Sequence, residues 1–260
     1  MEEAVRAAMG PNDRFAGAVA MSGSAGTTAC GDYLKEVFPN SKMAVGEALQ
    51  SPTLFNNGFG EHRIEGVGDK HIPWVHNVRN TDMVIAVDDN ICMAMIRLCN
   101  EPEGIAYLRS IGIAEDLIAR LSLMGISGAA NVAMAITMAK YYELTENDIS
   151  VTVLTDSMEL YGSRLEEMRA KMGPYTAARA LADHERYVLG MGLDGLQELT
   201  YNERKRIHNL KYYTWVEQLG KSTAELNAQW YDHGYWAGVH RMADKIDELI
   251  DDFNSKTGLA

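Results

Sequence analysis

The chain has 260 residues, 47% apolar and 23% charged, which suits one large α/β domain or two small ones and excludes a disordered chain. With 36 acidic against 24 basic residues the net charge is −12, so nucleic-acid binding by phosphate neutralisation is not expected. No apolar stretch reaches the roughly 20 residues of a membrane span, no secretory signal follows Met1, and Cys30, Cys92 and Cys99 fit neither a disulfide framework nor a zinc cluster; a cytoplasmic, membrane-free protein is the expectation.

In chain order, apolar runs at 15–21, 42–47, 83–87 and 150–155 read as strands. They lack alternation, as strands of a parallel sheet buried on both faces do. Helical patterns between them predict βαβ units and an open, mostly parallel sheet flanked by helices. Residues 52–80 break the rhythm with Gly58, Gly60, Gly66, Gly68, Pro52 and Pro73, and read as an ordered functional loop. From 163 onward no strand is evident; helices are predicted at 163–172, 176–189, 202–218 and 235–253. The aromatics of this part, Tyr212, Tyr213, Trp215, Trp230, Tyr231, Tyr235 and Trp236, are expected to pack its helices onto the sheet or a partner. The basic run Asn202-Glu203-Arg204-Lys205-Arg206 reads as a solvated helix face. A domain division at 1–165 and 166–260 follows.

Three loops carry chemistry. Ser22-Gly23-Ser24-Ala25-Gly26-Thr27-Thr28 follows the first strand and precedes a helix; small residues let a ligand approach backbone N–H groups, and a phosphate is the natural guest. It lacks a P-loop lysine and a dinucleotide triple glycine. Met124-Gly125-Ile126-Ser127-Gly128-Ala129-Ala130-Asn131 opens an Ala-rich helix, with Ser127 either its N-cap or a ligand group. Leu154-Thr155-Asp156-Ser157-Met158-Glu159-Leu160-Tyr161 follows the last strand, and ligands of open α/β sheets bind at carboxyl ends of strands. Glu47, at a strand end, is expected to orient or cap the helix after the phosphate loop. His62, His71 and His76 share a loop without metal-site spacing and read as backbone-bonding histidines; no metal site is expected.

These segments, in this order, resemble the large domain of cysteine synthases, within the tryptophan-synthase-β-like, fold-type-II family of pyridoxal-phosphate (PLP) enzymes. Gly23 to Thr28 resembles the family's cofactor-phosphate loop, and Gly125 to Ala129 its Gly-Ile-Ser-(Ser)-Gly-Ala element. Thr155 to Tyr161 resembles its Pro-Ser-Ser-Gly-Glu-Arg-Tyr element, and His62-Arg63-Ile64-Glu65-Gly66-Val67-Gly68 its His-Lys-Ile-Gln-Gly-Ile-Gly. The match covers roughly residues 12–165; the longer tail is similar to that of the subgroup labelled PLP-dependent β subunits.

The resemblance implies PLP as cofactor and β-elimination or β-replacement on an amino-acid substrate. It implies cofactor contacts from Gly23, Ser24, Ala25, Gly26, Thr27, Thr28, Ser127 (toward the pyridine nitrogen) and Ser157, and a substrate-side loop of Gly66, Gly68, Lys70 and His71. Ser24 and Ala25 stand where glycines are usual, and the family's Schiff-base lysine motif is not present. Lys70 is a weak substitute for that lysine, or a substrate-anion contact, or a surface residue. The expectation is therefore an incomplete enzyme whose lysine comes from an amino-terminal companion chain, in a hetero- or homo-oligomer. The alternatives are a non-catalytic PLP-binding or regulatory subunit, a truncated remnant, or a helix-rich interaction protein.

Overall fold

The runs at the start of the chain are buried on both faces and form β1 (Arg14–Met21), β2 (Lys42–Ala48) and β3 (Met83–Val87). The computed structural model describes residues 1–259. With β4 (Asp148–Val151) and β5 (Leu196–Glu198), these strands make one sheet of order β4-β1-β2-β3-β5. The first four strands run parallel, and β5 runs antiparallel to β3. The open, mostly parallel sheet flanked by helices is as predicted.

Two strand expectations are corrected. β4 ends at Val151 rather than at 155, because side chains take over the backbone groups beyond it. Residues 163–260 do hold a strand: β5 is only three residues long and part-exposed, and it is fixed by pairing to β3 rather than by its own pattern. Several predicted helices also divide. Residues 177–189 form Ala177–His184 followed by a π-helical turn, Glu185–Leu189. Tyr201–Lys211 passes into a second wide turn, Tyr212–Gln218, and the last stretch splits into Tyr235–His240 and Met242–Thr257.

The helix Ile126–Tyr141 packs on β1, β2 and β3, with Ile126, Ala129, Ala130, Ala133, Met134 and Met138 buried. Small residues bring its backbone close, and Gly46 of β2 makes the matching room. A Cβ there would stand 2.0 Å from the Met134 sulfur and 2.5 Å from that of Met21. Cys92 and Met93, from helix Asp89–Asn100, join the same core.

The chain forms two compact units, Met1–Ile207 and the part from His208 onward. Residues 166–207 thus group with the sheet. In the second unit, His208 bonds the Leu226 carbonyl at 3.1 Å, and Lys211 Nζ donates to Gln229 Oε1 at 2.8 Å beneath the Trp236 ring. Burial pushes the Lys211 ammonium down to about 7. Of the aromatics in this part, Trp230 is buried, whereas Tyr212, Tyr213 and Tyr231 are exposed.

Candidate functional site

β1 and the chain after β4 part company at their carboxyl ends, and Asn131 is the reason. The Met21 N–H donates to Asn131 Oδ1 at 2.8 Å, and Asn131 Nδ2 donates to the Val153 carbonyl at 2.9 Å. The Thr152 hydroxyl likewise takes the Val19 carbonyl at 2.9 Å. These side-chain bonds stand in for ladder bonds, satisfy the buried backbone and hold the two segments apart. Between them opens a cleft of about 380 Å³ lined by Ala20, Met21, Gly23–Thr27, Gly66, Val67, Ser127, Asn131, Val153 and Thr155.

The loop after β1 is built to present N–H groups. Among the described residues, none of the N–H groups of residues 23–28 has a protein acceptor, whereas those of residues 29–32 close turns onto residues 25–29. Ala25 takes the left-handed conformation, φ 70°, with its methyl group buried. Gly26 has open space: a Cβ there would meet only the Ser24 hydroxyl, at 4.0 Å. Unpaired donors on the five lining residues 23–27 make an anion cradle of the kind a phosphate fills. No lysine, arginine or histidine lines it, so the donors are neutral.

The hydroxyls divide in their roles. The Thr28 hydroxyl is buried and donates to the Ala25 carbonyl at 2.8 Å, so it braces the loop. Thr27 and Ser24 line the cleft. Ser127 does not cap its own helix; its Oγ lies 3.3 Å from Thr155 Oγ1, and both hydroxyls line the cleft. Ser157 starts a 3₁₀ turn and is not among the lining residues.

Asp156 fixes this corner. The Gly125 N–H donates to its carbonyl at 3.1 Å, and the Tyr161 hydroxyl donates to Oδ2. Burial, reinforced by that carboxylate, pushes the Tyr161 phenol up to about 12. The buried Oδ1 has no hydrogen-bond partner and lies against Gly125, where a Cβ would come within 2.1 Å of it. The N-terminal end of helix Ile126–Tyr141 stands beside it and favours negative charge.

The loop 52–80 closes another side. The Gly68 N–H donates to the Ser22 carbonyl at 2.9 Å, with Gly66 and Gly68 at φ 81° and 86°. Gly66 and Val67 reach the cleft; Gly68, Lys70 and His71 are not among its lining residues. Lys70 stands over the Phe59 ring, and His71 pairs with Asp69 at 3.3 Å. His62 Nδ1 accepts the Ile64 N–H at 3.2 Å and His76 Nε2 meets the Thr81 hydroxyl at 2.9 Å, so these histidines serve the loop. No cluster of metal-ligating side chains occurs among the described residues.

Two expectations change. Glu47 neither orients nor caps the helix after the phosphate loop; it accepts the N–H groups of Leu54 and Phe55 in the turn Thr53–Asn56. The basic run is not a solvated face: Arg204 bonds the Thr81 carbonyl and Asp82, and Arg206 bonds the Leu54 carbonyl. Sequence reasoning assigned no role to Asn131 or Thr155. The signal for Asn131 was its place as a lone amide in an Ala- and Met-rich helix, where a buried polar group must find partners.

No protein-family model matches the chain. Cysteine synthase of Staphylococcus aureus (strain N315) is 32% identical over 140 residues, covering 54% of this chain and 39% of that protein. Cysteine synthase B of Campylobacter jejuni is 31% identical over 144 residues, covering 55% of this chain and 41% of that protein. The chain spans about two fifths of the length of these relatives. Among solved structures, a hydrogen sulfide-producing enzyme of Fusobacterium nucleatum is similar at TM-score 0.49 and 24% identity, over 76% of this chain and 51% of that one. An O-acetylserine-dependent cystathionine beta-synthase of Helicobacter pylori is similar at TM-score 0.44 and 24% identity, over 62% of this chain and 48% of that one. No helix among the described residues is long and apolar enough to cross a membrane.

Proposed function

We propose that this chain, a relative of cysteine synthases over about half its length, holds pyridoxal phosphate in the cleft beside Asn131 for β-elimination or β-replacement on an amino acid. The observation that carries the reading is the set of unpaired N–H groups on residues 23–27, which line a cleft with two paired hydroxyls. The residues present fit the cofactor: an anion cradle at one end, and Ser127 with Thr155 as neutral polar groups for the ring. The bound cofactor supplies the electron sink that such chemistry needs.

The chain's own part is binding and orientation. The N–H groups of residues 23–28, with the Thr27 hydroxyl, hold the phosphate, each charge-assisted bond contributing about 1.5–3 kcal/mol. The Ser127 hydroxyl, steadied by Thr155, would serve the ring nitrogen as a neutral hydrogen-bonding group. Ser157 shapes the turn behind them, and Gly68, Lys70 and His71 extend the substrate side. No lysine lines the cleft, so the amine that chemistry requires is assigned to a companion chain in a larger cytoplasmic assembly. The same observation favours a second reading, a PLP-binding subunit without turnover.

Absorbance and fluorescence titration of the purified chain with PLP tests the site. Saturable binding, abolished by Gly26→Val, is expected; equal binding by that variant refutes the loop assignment. Borohydride treatment and mass spectrometry of the loaded chain should give no pyridoxyl adduct at Lys70. Cysteine-forming or sulfide-releasing activity only after adding a lysine-bearing companion separates the enzyme from the silent subunit.

A further inference from the structure

The dipeptide Leu54-Phe55 is gripped along both of its hydrogen-bonding edges. Glu47, at the carboxyl end of β2 and 2% exposed, accepts the Leu54 N–H at 2.8 Å through one oxygen and the Phe55 N–H at 2.7 Å through the other. Arg206, in helix Tyr201–Lys211, donates to the Leu54 carbonyl at 2.7 Å, to the Phe55 carbonyl at 3.4 Å and to the Asn57 side-chain oxygen. The Arg206 bonds are charge-assisted and stronger than neutral ones, and the planar guanidinium spans acceptors that a lysine cannot. Neither Glu47 nor Arg206 lines the cleft.

The grip is relayed toward the anion cradle. The Thr53 hydroxyl, next to the gripped pair, is 2.5 Å from the Asp69 carbonyl and 3.0 Å from that of Gly58. Asp69 adjoins Gly68, whose N–H donates to the Ser22 carbonyl at 2.9 Å. The Gly66 carbonyl lies 3.4 Å from where a Cβ on Gly23 would stand. The links up to Ser22 are covalent or hydrogen bonds, and Gly66 borders Gly23 in the cleft lining. The loop is also anchored by Arg63 on Asp89 and Glu65 on Arg164, which hold residues 63 and 65.

We propose that Glu47 and Arg206 are positioning residues that set the loop 53–69 against the anion-binding loop, so that a helix following the last strand controls how tightly the cleft holds its guest. The proposal rests on the reading of the cleft as a PLP site. It gives the segment after 165 a definite task at that site, through a residue that touches no ligand.

The test uses the full chain and three variants, Arg206→Met, Arg206→Lys and Asn57→Gly, the last removing a side-chain partner of Arg206 at a position whose φ of 55° glycine adopts without strain. Two quantities are read: the Kd for PLP by fluorescence titration, and amide hydrogen exchange by mass spectrometry over 54–71 against 126–141. Arg206→Met is expected to weaken PLP about tenfold and to speed exchange over 54–71 with 126–141 unchanged. Arg206→Lys should recover part of both effects, and Asn57→Gly should show a smaller loss in the same direction. Parental affinity in Arg206→Met, or faster exchange spread evenly over both segments, overturns the proposal. If the parent chain binds no PLP, the cofactor reading is refuted; the exchange arm then decides the clamp alone, unchanged rates over 54–71 sinking it.

Discussion

Asn131 stands where a backbone ladder bond would run between Met21 and Val153, one amide oxygen accepting from the first and one amide N–H donating to the second. The cleft exists because that amide keeps two segments of a sheet from zipping together. Asn131→Ala leaves the buried Met21 N–H and the part-buried Val153 carbonyl without this partner, a cost of about 1–3 kcal/mol for the buried N–H alone. Urea unfolding should register that loss together with weaker PLP binding. A variant that loses stability yet binds PLP as well as the parent would show that the splayed strands are not what makes the site.

Ala25 separates three effects of similar size. Replacing it with glycine relieves about 1–2 kcal/mol of left-handed strain. Glycine adds about 0.5–1 kcal/mol of chain entropy and forfeits about 0.8 kcal/mol of methyl burial. Ala25→Gly should therefore change stability by less than about 1 kcal/mol. Ala25→Val adds a β-branched side chain at positive φ and should cost well over about 1–2 kcal/mol. Thermal melts of both variants check the ordering, and a well-tolerated valine would contradict the backbone conformation at φ 70°.

Glu47 gives the stability a pH signature. Burial raises its carboxyl from 4.5 to about 7, outweighing the backbone N–H bonds and the Arg206 charge that favour the ionised form. A raised folded value means that the folded chain holds the proton more tightly than the unfolded chain does. The contribution is complete below the unfolded value and is lost as pH rises through about 7, amounting to about 3 kcal/mol at most. Unfolding free energies of the parent minus those of Glu47→Gln, taken from pH 4 to 8, should fall across that window. A flat difference would mean that the carboxyl titrates normally.

Lys211 acts in the opposite sense at higher pH. Its folded value is lowered from 10.5 to about 7 by burial, so the unfolded chain binds the proton more tightly between those values. Stability tied to this residue should rise as pH increases from about 7 toward 10.5, and Lys211→Met should remove the slope. Three of the four tryptophans, Trp215, Trp230 and Trp236, lie after residue 207, so fluorescence reports mainly on that unit. Equal pH slopes in parent and variant would contradict a buried, proton-shedding amine.

Legibility in the sequence followed the range of the forces involved. β1, β2 and β3 are uninterrupted apolar runs, and strands buried on both faces need no more than that. β5 escaped because three part-exposed residues carry no period; they are a strand only because β3 offers an edge. The loop at 23–28 was readable from its small residues and its place after a strand. Asn131 was not assigned, because its two partners are distant in sequence and both are backbone groups. Arg206 was read as solvated because a charged helix run looks the same whether its guanidinium meets water or the carbonyls of a loop more than a hundred residues away.

The cradle offers only neutral dipoles, in a chain of net charge −12. A dianion approaching it therefore meets long-range repulsion first and attraction only at contact. Salt shortens the reach of the repulsion to about 8–10 Å at moderate ionic strength but scarcely touches hydrogen bonds inside the cleft. Capture of a phosphate ester should thus speed up as salt is added while its escape rate stays constant. This is the reverse of a lysine-lined pocket, where salt slows the arrival of the guest.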